Sequence, residues 1–117
     1  MKRILIASII VVSLLSACQP NGSGGDKVRV GVFMSTTGTT ANFGISSVNG
    51  IKMAADEINA AGGINGKQVE LLVQDDRSDA SEAATIVTKF VTQDMVNAVI
   101  GEVASSRSIA AARRSGP

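Results

Sequence analysis

The run Asn59–Asp79, NAAGGINGKQVELLVQDDRSD, holds a helix end, a tight turn, a strand and the start of another helix in one stretch. Gly62 and Gly63 follow an alanine-containing segment, and glycine takes the left-handed conformation that ends a helix without a steric penalty. Asn65-Gly66 suits a tight turn. Gln68–Gln74, QVELLVQ, reads as a strand. Asp79 with Glu82 three residues later fits a capping pattern, so a helix is predicted from Ala80 to Asp94. A strand flanked by helices along the chain is the unit from which parallel α/β sheets are built. In this setting Gly62, Gly63 and Gly66 are turn glycines rather than a nucleotide fingerprint.

The same alternation extends both ways. Upstream, Val28–Phe33 (VRVGVF) is a β-branched run suited to a buried strand. From Ile45 to Ala61, apolar Val48, Ile51, Ala54, Ala55 and Ile58 recur at the spacing of one helical face. Downstream, Ala83, Ile86, Val87, Phe90 and Val91 form the next apolar face, Val96–Ile100 is a third strand, and a third helix is predicted to start near Ser105. Right-handed crossovers leave few topologies for such a chain. In a doubly wound sheet of order 2-1-3, the first and third strands are neighbours, and the loops after them diverge to opposite faces at the ligand-binding switch point. Those loops are Met34–Gly44 and Gly101–Ser106.

With 117 residues, 44% hydrophobic side chains and a formal charge of +1, the chain carries no basic excess to attract nucleic acid. It has no histidine, tryptophan or tyrosine, so a histidine triad or histidine metal site cannot be built, and platforms for stacking bases are few. The single cysteine, Cys18, excludes an intramolecular disulfide.

The N-terminus reads as an export signal: Lys2 and Arg3, the apolar run Ile4–Leu15, then the small residues Ser16 and Ala17. The apolar run falls short of the roughly 20 residues a bilayer span needs. LSAC, Leu15–Cys18, resembles the lipobox of bacterial lipoproteins, in which the cysteine is acylated and becomes the first mature residue. Several acyl chains anchor durably where one is marginal. The expected organisation is a signal peptide at 1–17, a flexible polar tether at 18–26 and a folded part at 27–117.

Three loops carry candidate chemistry. Ser35–Thr40, STTGTT, resembles the hydroxyl-rich phosphate loop of flavodoxins. Against flavin binding, Phe43-Gly44 is expected to delay the following helix, and no tryptophan or tyrosine is present to cover the ring. Asp75 and Asp76 could suggest a metal or acid/base pair, but lone carboxylates after a strand more often accept hydrogen bonds from loop amides. In GEVASSRS, Gly101–Ser108, Ser105 either binds a small carboxylate at the third helix's N-terminus or caps that helix. The two roles can coexist.

Taken together, VRVGVFMSTTGTTANFG, NGIKMAADEINAAGGINGKQVELLVQDDRSDASEAA and VNAVIGEVASS resemble the N-terminal part of the leucine/isoleucine/valine-type periplasmic binding proteins. That resemblance implies a type I periplasmic-binding fold, two α/β lobes closing on a small ligand, which is delivered to the permease of an ABC importer without chemistry and without a cofactor. By position it implies that Ser105 contacts the carboxylate of an amino acid or analogue and that Phe43, commonly tyrosine in the family, lines the cleft. Ser106 and the Val103-Ala104 backbone are implied as neighbours. The family continues into a fourth strand and a second lobe, whereas this sequence passes from SIAAA to RRSGP. The expectation is therefore an incomplete first lobe with an unfinished sheet edge that binds ligand weakly or not at all alone. Alternatives are an exported flavodoxin-like protein and a lipoprotein sensor of the same fold that takes no part in transport.

Overall fold

In the computed structural model, which describes residues 27–115, strand and helix alternate as β1 (Val28–Met34), α1 (Ala41–Ala60), β2 (Val69–Asp75), α2 (Ala80–Thr92), β3 (Ala98–Ile100) and α3 (Ser105–Ser115). The signal, Cys18 and the tether lie outside the described residues. The strands form one parallel sheet of order β2-β1-β3, with Val28–Met34 registered against Val69–Asp75 and Val30–Val32 against Ala98–Ile100.

Alternation along β1 divides the apolar residues between two faces. Val30, Val32 and Met34 pack with Val48 of α1, joined by Ile51, Leu71 and Val73. Phe33 points to the other face, into Ala83, Ile86, Val87 and Phe90 of α2 and Ala111 of α3. Phe90 is fully buried and lies so close over β1 that a Cβ at Gly31 would come within 2.5 Å of its ring. Glycine in this strand is therefore a packing requirement. β3 has one strand neighbour among the described residues, and Ala98, Val99 and Ile100 are all exposed.

Several boundaries differ from the sequence expectation. α1 starts at Ala41 rather than Ile45, because the Thr40 carbonyl accepts from the Phe43 and Gly44 amides and begins the helix within the polar segment ANFG. The apolar pattern could not show this turn, since its inward position is a glycine: a Cβ at Gly44 would collide with the Ser35 backbone. Phe43-Gly44 thus belongs to the helix and does not delay it. Two residues of the predicted α1 face are not buried, Ala54 and Ile58, the latter 40% exposed. Asn59 bonds the β2 backbone instead, donating to the Val69 carbonyl and accepting from its amide at 2.9 and 2.7 Å.

α2 stops at Thr92, not Asp94, where the Gln93 and Asp94 amides both turn back to the Lys89 carbonyl and Met95 takes a positive φ of 50°. Val91 lies off its buried face. β3 begins at Ala98 rather than Val96, because Asn97 bonds the Arg29 backbone through both its amide and its side chain. The predicted cap is in place, with the Asp79 side chain accepting from the Glu82 amide at 2.8 Å. Gly62, Gly63, Asn65 and Gly66 all have positive φ, as the helix stop and tight turn require.

Candidate functional site

The loops after β1 and β3 meet where α1 leaves for one face of the sheet and α3 for the other. Parallel strands end there with a cluster of backbone N–H groups that need acceptors. Carboxylates supply most of them. Asp75 Oδ1 accepts from the Thr36, Thr37 and Arg77 amides at 2.9, 3.2 and 2.9 Å, and its Oδ2 from the Thr37 hydroxyl at 2.6 Å. Burial alone would raise its pKa, but these donors outweigh it and hold the group down at about 2.

Asp76 is wholly buried and accepts from the Ser35 hydroxyl at 2.5 Å and the Ser78 amide at 3.0 Å. By holding the Arg77 and Ser78 amides, the two aspartates support consecutive non-glycine residues at φ of 54° and 63°. Such left-handed residues cost about 1 kcal/mol or more each. The structural reading of the aspartate pair as acceptors for loop amides therefore describes what both side chains do.

The third carboxylate, Glu102, lies just beyond β3. Its Oε1 accepts from the Ser35 amide at 3.1 Å, and its Oε2 from the Ala104 amide at 2.8 Å and from Arg107 Nε at 2.9 Å. Arg107 is itself buried; its Nη2 donates to Thr40 Oγ1 at 2.7 Å and its Nη1 to the Ser78 carbonyl at 3.4 Å, while Nε stands 3.9 Å from Asp76 Oδ1. One guanidinium thus serves two buried carboxylates, and it lies closer to Glu102. Burial raises the Glu102 pKa, but the Ala104 and Ser35 amides and Arg107 together bring it below the usual carboxylate range. For Asp76, burial prevails and lifts the pKa: the Ser35 and Ser78 bonds oppose it, the Glu102 charge adds to it, and Arg107 offsets only part. The Asp76 Oδ2 atom is buried with no hydrogen-bond partner among the described residues, which carries a desolvation cost.

Against this polar floor, the sequence-nominated residues fall into two groups. Ser105 and Ser106 are the first two residues of α3 and are exposed. First-turn amides have no partner within a helix, and neither serine side chain takes a hydrogen bond among the described residues. The start of α3 is held without Ser105 acting as its cap: the Ala104 carbonyl accepts from the Arg107 and Ser108 amides, and the Ser108 hydroxyl bonds the Glu102 backbone. Ala104 is half-buried, with its amide committed to Glu102 and its carbonyl to the Arg107 and Ser108 amides, so only its methyl group remains to face a ligand. Phe43, 68% exposed, stands in the first turn of α1.

The resemblance of Ser35–Thr40 to a phosphate loop does not extend to its chemistry. The Ser35, Thr36, Thr37 and Thr40 amides are already bonded to Glu102, Asp75 and the Ser78 hydroxyl, and three carboxylates beneath the loops would repel a phosphate. Glu102 and Arg107, which organise the crevice, were not nominated from the sequence. Their one local signal is a lone acid and a lone base within an otherwise small and apolar segment, GEVASSRSIAAA. A separate groove of about 670 Å³ between α2 and α3, lined partly by Lys89, Arg113 and Arg114, contains none of these residues.

Residues 27–115 match a family model described as periplasmic binding protein. An amino acid binding protein of Pseudomonas aeruginosa is 34% identical over 110 residues, covering 94% of this chain and 29% of that protein. Leu/Ile/Val-binding protein homolog 2 of Brucella abortus is 35% identical over 109 residues, covering 93% and 28%. Among solved structures, the branched-chain amino acid transporter substrate-binding protein LivJ of Streptococcus pneumoniae, in complex with isoleucine, superposes with a TM-score of 0.75 at 39% identity, covering 76% of this chain and 26% of that one. The leucine-binding protein LivK of Thermotoga maritima gives 0.68 at 36%, covering 74% and 24%. The chain spans under a third of the length of these relatives.

Proposed function

Since this chain belongs to the periplasmic binding protein family and carries the corresponding parallel sheet of order 2-1-3, we propose that it supplies one wall of the solute cleft of an ABC importer's binding protein. The solute is an amino acid or a related small carboxylate or amide. It is held without chemistry and passed to a membrane permease. Ser105 and Ser106 receive the carboxylate through hydroxyls and first-turn amides, Phe43 provides an apolar wall, and Ala104 adds its methyl group. The signal at 1–17, the lipid at Cys18 and the tether at 18–26 keep the folded part outside the cytoplasm and close to the membrane.

The observation that carries this reading is selective saturation. Carboxylates occupy the amides around the crevice, while the α3 start, exposed at the switch point, keeps donors free. The second reading, flavin phosphate binding at Ser35–Thr40, is disfavoured by the same pattern.

One wall offers about half the contacts. Halving a binding free energy of about −8 kcal/mol turns a micromolar Kd into a millimolar one. Isoleucine titrated into the 117-residue chain to tens of millimolar (roughly ten times that Kd) is expected to move the amide resonances of Ser105, Ser106 and Phe43, with flavin mononucleotide moving none of them. Silence with isoleucine, or tight binding of the flavin, overturns the proposal. Micromolar binding of isoleucine by this chain would instead refute the one-wall account.

A further inference from the structure

Resting on the solute-binding reading of the crevice, we propose that Arg107 is its positioning residue, a single guanidinium that fixes the Ser105–Ser106 turn relative to the start of α1 that carries Phe43. α1 packs with Val30, Val32 and Met34 on one face of the sheet, α3 packs through Ala111 on the other, and no substantial interface joins them. Arg107 spans this gap. It belongs to the first turn of α3, two residues beyond Ser105, and its Nη2 donates to the hydroxyl of Thr40, the residue preceding α1, at 2.7 Å.

The remaining donors tie the bridge to the sheet. Nε is held by Glu102, which in turn accepts the Ser35 amide at the end of β1 and the Ala104 amide below the serines, and Nη1 reaches the Ser78 carbonyl before α2. Three loops therefore share one planar cation whose side chain is 9% exposed. Only arginine presents a rigid fork of donors able to meet three acceptors in different directions; lysine keeps the charge but is a point donor. A ligand gripping both walls gains affinity when their separation is set beforehand, because less ordering remains to be done on binding.

Residue-resolved hydrogen exchange on the full chain tests the coupling without a ligand. For Arg107→Lys, the Ala104, Arg107 and Ser108 amides on one wall and the Phe43 and Gly44 amides on the other are expected to exchange about tenfold faster together, with amides in β1 and α2 unchanged. Thr40→Val, which removes the Arg107 acceptor on the α1 side together with the hydroxyl contact to Ser78, is expected to speed Phe43 and Gly44 while leaving Ala104 within about twofold. Acceleration confined to α3, or spread evenly over the whole domain in both variants, refutes the positioning role. A second arm compares isoleucine with its carboxamide by resonance shifts. Arg107→Lys is expected to reduce the preference for the free carboxylate as Ser105→Ala does, and the double variant to be no worse than either. Additive losses that are equal for both ligands would mark a merely structural residue and overturn the proposal. If neither ligand moves the wild-type resonances, the solute-binding reading fails, while exchange still decides whether Arg107 couples the walls.

Discussion

Glu102→Gln should be one of the more damaging isosteric changes in this domain. Its side chain is fully buried and accepts from two amides and one guanidinium. Glutamine can place its one oxygen at either site, keeping the Ser35 bond or the Ala104 and Arg107 bonds, and its NH2 group then meets the remaining N–H donor against donor. Removing one partner of a buried ion pair costs about 3–5 kcal/mol, because the other charge stays buried without its counterion. Asp76, 3.9 Å from Nε, can take up part of that charge, so the loss should lie at the low end, about 3 kcal/mol. Urea unfolding followed by circular dichroism should show the midpoint falling by more than about 1 M.

The companion change separates charge from shape. Arg107→Met leaves Asp76 and Glu102 facing each other without a cation, which raises both carboxyl pKa values, so its penalty should be greater at pH 7 than at pH 5. In Glu102→Gln with Arg107→Met no buried cation is stranded, and the double variant should cost at least about 2 kcal/mol less than the two single losses together. If Glu102→Gln costs under about 1 kcal/mol, or the pair is additive, the buried cluster does not organise these loops as its geometry implies.

Two glycines of α1 should respond in opposite directions. A methyl group at Gly50 would meet nothing within 4 Å, so Gly50→Ala should raise stability by about 0.5–1 kcal/mol through helix propensity, whereas Gly44→Ala meets the Ser35 backbone and should lower it by about 1–3 kcal/mol; thermal unfolding of the two variants checks the contrast. Asp76→Asn should be neutral or stabilising at pH 7. The Asp76 pKa is raised in the folded state, so its contribution is most favourable below about pH 4 and declines as pH rises through the folded value. Asp75 and Glu102, with lowered pKa values, behave oppositely: their stabilisation is present above the ordinary carboxylate range and is lost as pH falls, for Asp75 down to about 2. Melting temperature against pH should therefore lose its decline above pH 4 in Asp76→Asn, and a variant more than about 1 kcal/mol less stable than wild type at pH 7 would contradict the assignment.

What the sequence disclosed, and what it did not, follows the range of the interactions. The strand and helix alternation, the Asp79 cap and the Asn65-Gly66 turn depend on neighbours within a few residues, and each is present in the structure. The order 2-1-3 follows from chain-crossing rules that need no side-chain detail. Boundaries shifted where a side chain or a close backbone contact replaced local periodicity, as with Asn97 at β3, Asn59 beside β2 and Gly44 in α1. The buried cluster was hidden for the same reason. Glu102 meets Ser35 across 67 residues, as Arg107 meets Thr40, and Asp76 meets Ser35 across 41. Glu102 and Arg107 are themselves five apart across a loop, a spacing that matches neither helical nor strand periodicity. Sequence reading accordingly gave its weight to the serines, whose types suggest anion binding, and overlooked the ion pair beneath them.

That ion pair also bears on which ligands the crevice can accept. At the ends of parallel strands, exposed loop amides often become an anion cradle, and a phosphate gains most when several point at it together. Here Asp75 and Glu102 occupy five of those amides from within the protein, with Asp75 held ionised by its donors far below neutral pH. The negative charge beneath the loops, offset in part by Arg107, makes a multiply charged anion costly to bring close. What stays open is the Ser105–Ser106 turn, two successive hydroxyls and two first-turn amides on the solvent side of the cluster. On the proposed reading of the crevice, the same carboxylates that rigidify the three loops would leave a place for one small carboxylate rather than a phosphate, and a ligand that also carries a positive group would feel the floor of the crevice as attraction.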